Sequence, residues 1–163
     1  MSHPRPILAF DSVTIAARPP GMAGVQNVTL SLGSGEIALV CVPDESDHLP
    51  LADAAEGLIA PDAGTVVFDQ ENWAGMTARR EAEMRGRIRR VFTGETWISN
   101  LDLLENIVLA ECHHTPRPRA SLVAEAEHHA RSLGLPGIPT GRTVGQHATV
   151  LRKLEIVRAL MGQ

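Results

Sequence analysis

Lysine occurs once in this chain, at Lys153, against fourteen arginines, and tyrosine does not occur at all. Phe, Trp and Tyr together make only 3% of the residues, so platforms on which a base or an adenine ring could stack are few. Two cysteines, Cys41 and Cys112, cannot build a disulfide framework. No apolar run approaches the ~20 residues that a membrane-spanning helix needs. The opening "MSHPRP" has none of the basic-then-apolar character of a secretory leader, and the expectation is a cytoplasmic chain. A net charge of −4 gives no global attraction to nucleic acid or to an anionic membrane.

What is present is ordinary for a globular protein: 163 residues, 44% hydrophobic and 21% charged, long enough for a core of its own. "ILAFDSVTIAA" (7–17) and "VQNVTLSLGSGE" (25–36) alternate apolar and polar residues and read as strands, the second closed by a Gly-Ser-Gly turn. The run 37–42 is continuously apolar, as in a strand buried on both faces, and Cys41 within it reads as a small buried hydrophobe. A polar loop follows, then a Leu- and Ala-rich helix closed by Gly57-Leu58. Pro50 suits the first turn of that helix, which has no internal N–H bond to lose.

Further on, 64–69 reads as a strand, 77–87 as a polar helix, 88–93 as a strand and 101–111 as a helix. "CHHTPRPR" is a linker. The stretch 120–133 is an amphipathic helix with Leu122, Val123, Ala126, Ala130 and Leu133 on one face. A last helix, 148–161, spaces Leu151, Leu154, Val157 and Met161 toward a core. Strands first, then βα alternation, then a helical insert predict a mixed α/β domain with an antiparallel N-terminal layer.

The strand–loop–helix at "LVCVPDESDHLPLADAAEGL" (39–58) is the frame in which a nucleotide-binding protein places its phosphate cradle. Several stretches resemble the ATP-binding cassette (ABC) transporter ATPases: "SLGSGEIALV", "GLIAPDAGTVVFDQENW", "RRVF" followed by "LDLLENIVLAE", and "LRKLEIVRAL". The resemblance covers roughly 7–163. It implies an α/β, P-loop NTPase-like ABC ATPase core with part of the family's helical subdomain: 1–93 as the β layer and first part of the core, 94–147 as the helical insert, 148–163 as a helix returning to the core. It also implies that the chain stops at "RALMGQ", before the acidic metal-binding strand, the catalytic carboxylate and the switch histidine.

The departures from the family's pattern fall where its chemistry lies. The family's loop wraps phosphates with glycine N–H groups, a Lys and a Ser/Thr for magnesium. The matching positions here are Val42, Glu45, Asp47, His48 and the pair Leu49-Pro50. The adenine-stacking aromatic falls at Ala17, the glutamine after the "VF" strand at Thr93, and the signature loop at Gln146, His147, Ala148 and Thr149. A carboxylate ~6 Å from one phosphate charge costs roughly 1–3 kcal/mol at effective dielectrics of about 20–50. Asp44, Glu45 and Asp47 therefore outweigh the partial positive charge of the helix end. Ser46 or Asp47 is expected to cap the helix from a start near His48, in place of a bound phosphate.

Other candidates weaken on inspection. "ECHHT" (111–115) and His128-His129 place neighbours in a row, a poor way to converge on one metal ion. The six arginines of "RREAEMRGRIRR" (Arg79–Arg90) could meet nucleic-acid phosphates, but Glu81 and Glu83 among them favour a solvated helix face.

The resemblance thus implies a degenerate ABC transporter ATP-binding-subunit-like protein, without catalysis, acting as a structural or regulatory component. No cofactor is expected, ATP and Mg binding only weakly if at all. Its partner would be a membrane-spanning transporter subunit or an intact ABC ATPase subunit, met through 93–115 and holding the protein peripherally at the inner membrane. A homo-oligomer, formed through the edge of the strand at 37–42, is the other association expected. One rival is the N-terminal fragment of a genuine ATP-binding subunit; the other is a nucleic-acid-binding regulator using Arg79–Arg90.

Overall fold

The computed structural model of the chain describes residues 5–18, 21–41, 49–92 and 96–162. They fall into two compact units, Met1–Ile88 and Arg89–Gln163.

The first unit is built on a four-stranded antiparallel sheet in the order β2-β1-β3-β4, with β1 at Leu8–Ile15, β2 at Val25–Leu32, β3 at Ala63–Phe68 and β4 at Glu71–Asn72. β1 pairs on both sides, Leu8 opposite Leu32 in β2 and opposite Phe68 in β3. Its simple alternation is broken at Ser12, which takes φ 53° while the register shifts against both neighbours. The resulting bulge puts Phe10, Val13 and Ile15, rather than a strict every-second set, into the core with Val66, Trp73 and Met84.

Helix α1 is short, Leu51–Ala55, and its end is built in detail. Gly57 (φ 65°) donates its N–H to Ala54 O at 3.1 Å, and Leu58 donates to Asp53 O at 2.8 Å. This pair of bonds is the Schellman closure that only a residue tolerating positive φ makes cheaply. Trp73 Nε1 donates to Ala55 O and Arg85 Nη1 to Gly57 O, so two side chains take further carbonyls at that helix end. The match over "GLIAPDAGTVVFDQENW" is thus a helix stop, a turn and a strand held as one piece. Helix α2, Ala78–Arg85, starts at Thr77, whose hydroxyl accepts from Arg80 N.

Three sequence expectations need correction here. The described part of 37–42 forms no strand: Ile37 is 95% and Leu39 87% exposed, and Cys41 is exposed rather than buried. A strand apolar on both faces forms only where neighbours take its N–H and C=O groups, and no described residue pairs with it. For the same reason the described part of 88–93 is not a strand. Helix α1 begins at Leu51 instead of near His48, with Pro50 at its N-cap and no side-chain cap. Proline disfavours helical backbone in the residue before it, so the helix cannot run back through Leu49. Ser46 and Asp47 lie outside the described residues.

The second unit packs three helices, α3 (Leu103–His114), α4 (Arg119–Ser132) and α5 (Ala148–Leu160). Leu103, Ile107, Leu122, Ala126, Leu154 and Val157 are fully buried between them. The small Ala126 and Ala130 let α4 lie close to its neighbours. A capping box starts α3: Asp102 Oδ1 accepts from Glu105 N at 2.6 Å, and Glu105 Oε2 accepts from Asp102 N at 3.0 Å. Asp102→Ala should cost about 0.5–2 kcal/mol, read as a lower denaturation midpoint with an unchanged slope. A cost within error of zero would mean that water caps α3 as well as Asp102 does.

Candidate functional site

Of the phosphate-loop positions, Val42, Glu45, Asp47 and His48 lie outside the described residues, as does Thr93. Leu49 and Pro50 are described. Pro50 is fully buried at the N-terminus of α1, and its backbone is half turned into the helix at φ −75° and ψ 1°. It offers no N–H where a phosphate loop presents donors, and Leu49 carries no hydroxyl for a metal. Ala17, at the expected stacking position, is exposed.

Gln146, His147, Ala148 and Thr149 lie together at the start of α5. His147 is the N-cap, and its Nδ1 accepts from Thr149 N at 3.2 Å. The segment expected to be the signature loop is thus the capped start of α5, with the His147 imidazole as the cap.

The arginine run is largely neutralised. On α2, Arg79 pairs with Glu83, Arg80 with Glu71 and Glu83, and Arg85 with Glu81; Arg87 pairs with Asp69 and Arg89 with Glu111. Hydrogen bonding from Arg80 holds the Glu71 carboxyl below its ordinary range. Cations spent on carboxylates release few counter-ions from nucleic acid, which weakens the rival reading based on this run. Among the described residues, no group of three or more His, Cys, Asp and Glu side chains is placed to hold a metal ion.

The second unit carries a feature that the sequence did not reveal, a broad-mouthed concavity of about 540 Å3. One wall is the loop segment with Thr96 and Ile98; the other is α3, with Leu109, Ala110, His113 and His114. Arg158 of α5 reaches into it, donating from Nη1 to Thr96 O at 3.0 Å and from Nη2 to Thr96 Oγ1 at 2.7 Å. Its guanidinium lies 5.0 Å from the Trp97 ring centroid. Burial pulls the Arg158 pKa below its ordinary value, with Glu155 acting in the opposite direction. A guanidinium stays charged under such a shift.

Asn106 fixes the loop wall. It is buried, its Oδ1 accepts from Ile98 N at 2.8 Å, and its Nδ2 donates to Ile98 O, Leu101 O and Asp102 O. The signals for both residues were in the spacing. Asn106 stands three residues after Leu103 on the core stripe of α3, and Arg158 four after Leu154 on that of α5. A polar residue on an apolar stripe is the informative exception.

No protein-family model matches the chain. Over 111 residues it is 26% identical to the intermembrane phospholipid transport system ATP-binding protein MlaF of Escherichia coli (strain K12), covering 68% of this chain and 41% of MlaF. Over 146 residues it is 30% identical to the lipoprotein-releasing system ATP-binding protein LolD 2 of Chlorobium chlorochromatii (strain CaD3), covering 84% of this chain and 59% of LolD 2. Among solved structures it superposes on cbiO1 from Clostridium perfringens, part of the ABC transporter complex cbiONQ, with a TM-score of 0.75 at 14% identity, over 96% of this chain and 61% of that one.

The fold is the α/β fold of an ABC ATPase cassette. In sequence the chain is similar to ABC transporter ATP-binding subunits, which together with the fold supports an ABC ATPase domain. It spans 41–59% of the length of these two curated relatives. No helix among the described residues is long and apolar enough to cross a membrane.

Proposed function

We propose that this chain is a catalytically silent ABC ATP-binding-subunit-like module, which serves a transporter by docking rather than by hydrolysing ATP. One observation carries the reading: the phosphate-loop positions hold His48 and Leu49-Pro50 beside Asp44, Glu45 and Asp47. Phosphoryl transfer works by positioning phosphates, holding magnesium and stabilising charge, and these side chains oppose all three. Ala17 removes the stacking surface for adenine, and His147 fills the N-terminus of α5 with an internal acceptor. The docking face is the groove side of the second unit, within 93–115, and its partner is a membrane-spanning transporter subunit or an intact ABC ATPase subunit.

Titration calorimetry with Mg-ATP tests the reading, and no saturable heat is expected up to millimolar nucleotide. ATP turnover by the purified chain is expected to be indistinguishable from that of a mock preparation. Saturable binding with a Kd in the micromolar range would sink the silent-module reading. It would favour the second one, in which this chain is part of a genuine ATP-binding subunit, a reading supported by the 41–59% of the relatives' length that it spans. In that case, replacing Asp44, Glu45 and Asp47 together with glycine should tighten nucleotide binding by about tenfold or more, because each removed repulsion is worth about 1 kcal/mol or more.

A further inference from the structure

The first unit holds a pocket that its own packing keeps open. It measures about 120 Å3 and lies between the end of α1, β3 and α2, with Ala54, Val66 and Trp73 as its buried floor. Gly57, Ala60, Gly64 and Ala74 stand round that floor and are too small to fill the space. A large side chain beside such a void would ordinarily turn into it, because unfilled space forfeits dispersion contacts. Here the Trp73 ring is held. Its Nε1 donates to Ala55 O at 3.1 Å, and it stacks on Phe68 with 6.2 Å between ring centroids. The Arg85 guanidinium lies 6.0 Å from its centroid, and a Cβ on Gly57 would stand 2.4 Å from the ring.

The lining narrows what can fill the pocket. Its polar groups are engaged with one another: Asn72 Oδ1 accepts from Ala74 N at 2.9 Å, and Glu81 holds Arg85 at 3.0 Å. Among the described residues no buried side-chain nitrogen or oxygen lacks a partner. A water needs two or more polar partners to stay in a cavity, and the floor of Ala54, Val66 and a spent Trp73 N–H supplies none. Among the described residues of the lining Glu81 alone carries a charge, and Arg85 neutralises it, so the pocket has little pull on an ion. An apolar cavity of about 150 Å3 stays dry and takes up benzene or xenon. A space of about 120 Å3 suits one six-membered ring and no more. Access to the floor is narrow, with Trp73 only 9% exposed, so a free ring enters more readily than a side chain tethered to a partner's backbone.

We propose that this pocket is a binding site for a small neutral hydrocarbon, a single aromatic ring or a branched alkyl group of that size, seated on Val66 and Trp73. The inference is independent of the reading of the phosphate loop and of the docking face, and it stands or falls without them. Because Ala54 belongs to α1, an occupant also ties that short helix to β3.

Titration of the full chain with benzene, followed by the methyl NMR resonances of Ala54, Ile59 and Val66, tests this. Saturable shifts centred on these methyls are expected, with a Kd of about 1 mM, the affinity that a molecule of so few atoms can supply. Mesitylene, too large for the pocket, is expected to bind at least about tenfold more weakly than benzene. Adsorption onto an exposed apolar surface would instead strengthen with size. This comparison uses the wild-type chain and needs no variant to fold. Ala74→Leu, a change at an exposed rim position, should fill the mouth and weaken benzene binding by about tenfold or more. Shifts that do not saturate, that centre on the exposed Leu39 or Ile98, or that are as strong with mesitylene would each overturn the proposal. So would a folded Ala74→Leu chain that binds benzene as tightly as the wild type.

Discussion

Gly64→Ala is expected to destabilise the first unit by about 2–4 kcal/mol and to lower its Tm by about 10–20 °C. Gly64 takes φ 82° in β3, opposite the bulge of β1, and a Cβ there would stand 2.4 Å from Asp11 O and 2.5 Å from Ser12 O. Both are backbone atoms in the middle of a paired strand, so no side-chain rotation relieves the contact. The bulge and the glycine are one device. Ser12, at φ 53°, turns its own and the preceding carbonyl toward β3, and only a residue without a Cβ leaves them room.

Gly35→Ala is the matching control. It has φ 76° with nothing within 4 Å of a built Cβ, so it bears the backbone strain without the clash, about 1–2 kcal/mol. Chemical denaturation followed by the signal of Trp73, which lies in this unit's core, measures both variants. Should Gly64→Ala cost no more than Gly35→Ala, the bulge would not sit against Gly64 in solution.

Most of the elements could be read from the chain because their signals are local. Periodicity gave α4 and α5 to within a residue or two, and alternation with turn residues gave β1, β2 and β3. The two failures share a cause. The segments at 37–42 and 88–93 have the composition of buried strands, but a strand is a relation between two segments, and composition cannot say whether the second is there. Ile37 and Leu39 show the consequence in their exposure. The start of α1 failed for a local reason that was in plain view: Pro50 suits a first turn, yet it also restrains Leu49.

The expected site positions could be placed along the resembled frame, and the groove could not. Positions can be counted along the frame of a resembled family, so His48, Leu49-Pro50, Ala17 and His147 could be named as expectations from order alone. The groove could not, because Thr96, Asn106 and Arg158 meet only through the packing of α3, α5 and the loop before α3. Two of the three, Asn106 and Arg158, are polar residues on otherwise apolar helix stripes.

Asn106→Ala is expected to cost about 2–4 kcal/mol and to loosen the groove with it. The side chain is 4% exposed and serves four backbone groups, so its removal strips Ile98 N, Ile98 O, Leu101 O and Asp102 O of a partner at once. Each orphaned group would cost about 1–3 kcal/mol if it stayed dry. The sum is discounted because the loop is open enough to take up water: Ile98 is 44% exposed, and Asn106 N keeps its own bond to Asp102 O. Asn106→Asp is the sharper variant. It keeps the size and the acceptor for Ile98 N, but it has no amide donor and turns a carboxylate toward three carbonyl oxygens, so it should cost at least as much as the alanine. Amide exchange at Ile98, measured by NMR in the intact chain, should rise by about tenfold or more in Asn106→Ala, which removes its acceptor, and by less in Asn106→Asp, which keeps one. Stability lost with Ile98 exchange unchanged would mean that Asn106 holds α3 alone, and that the loop wall of the groove is fixed by other contacts.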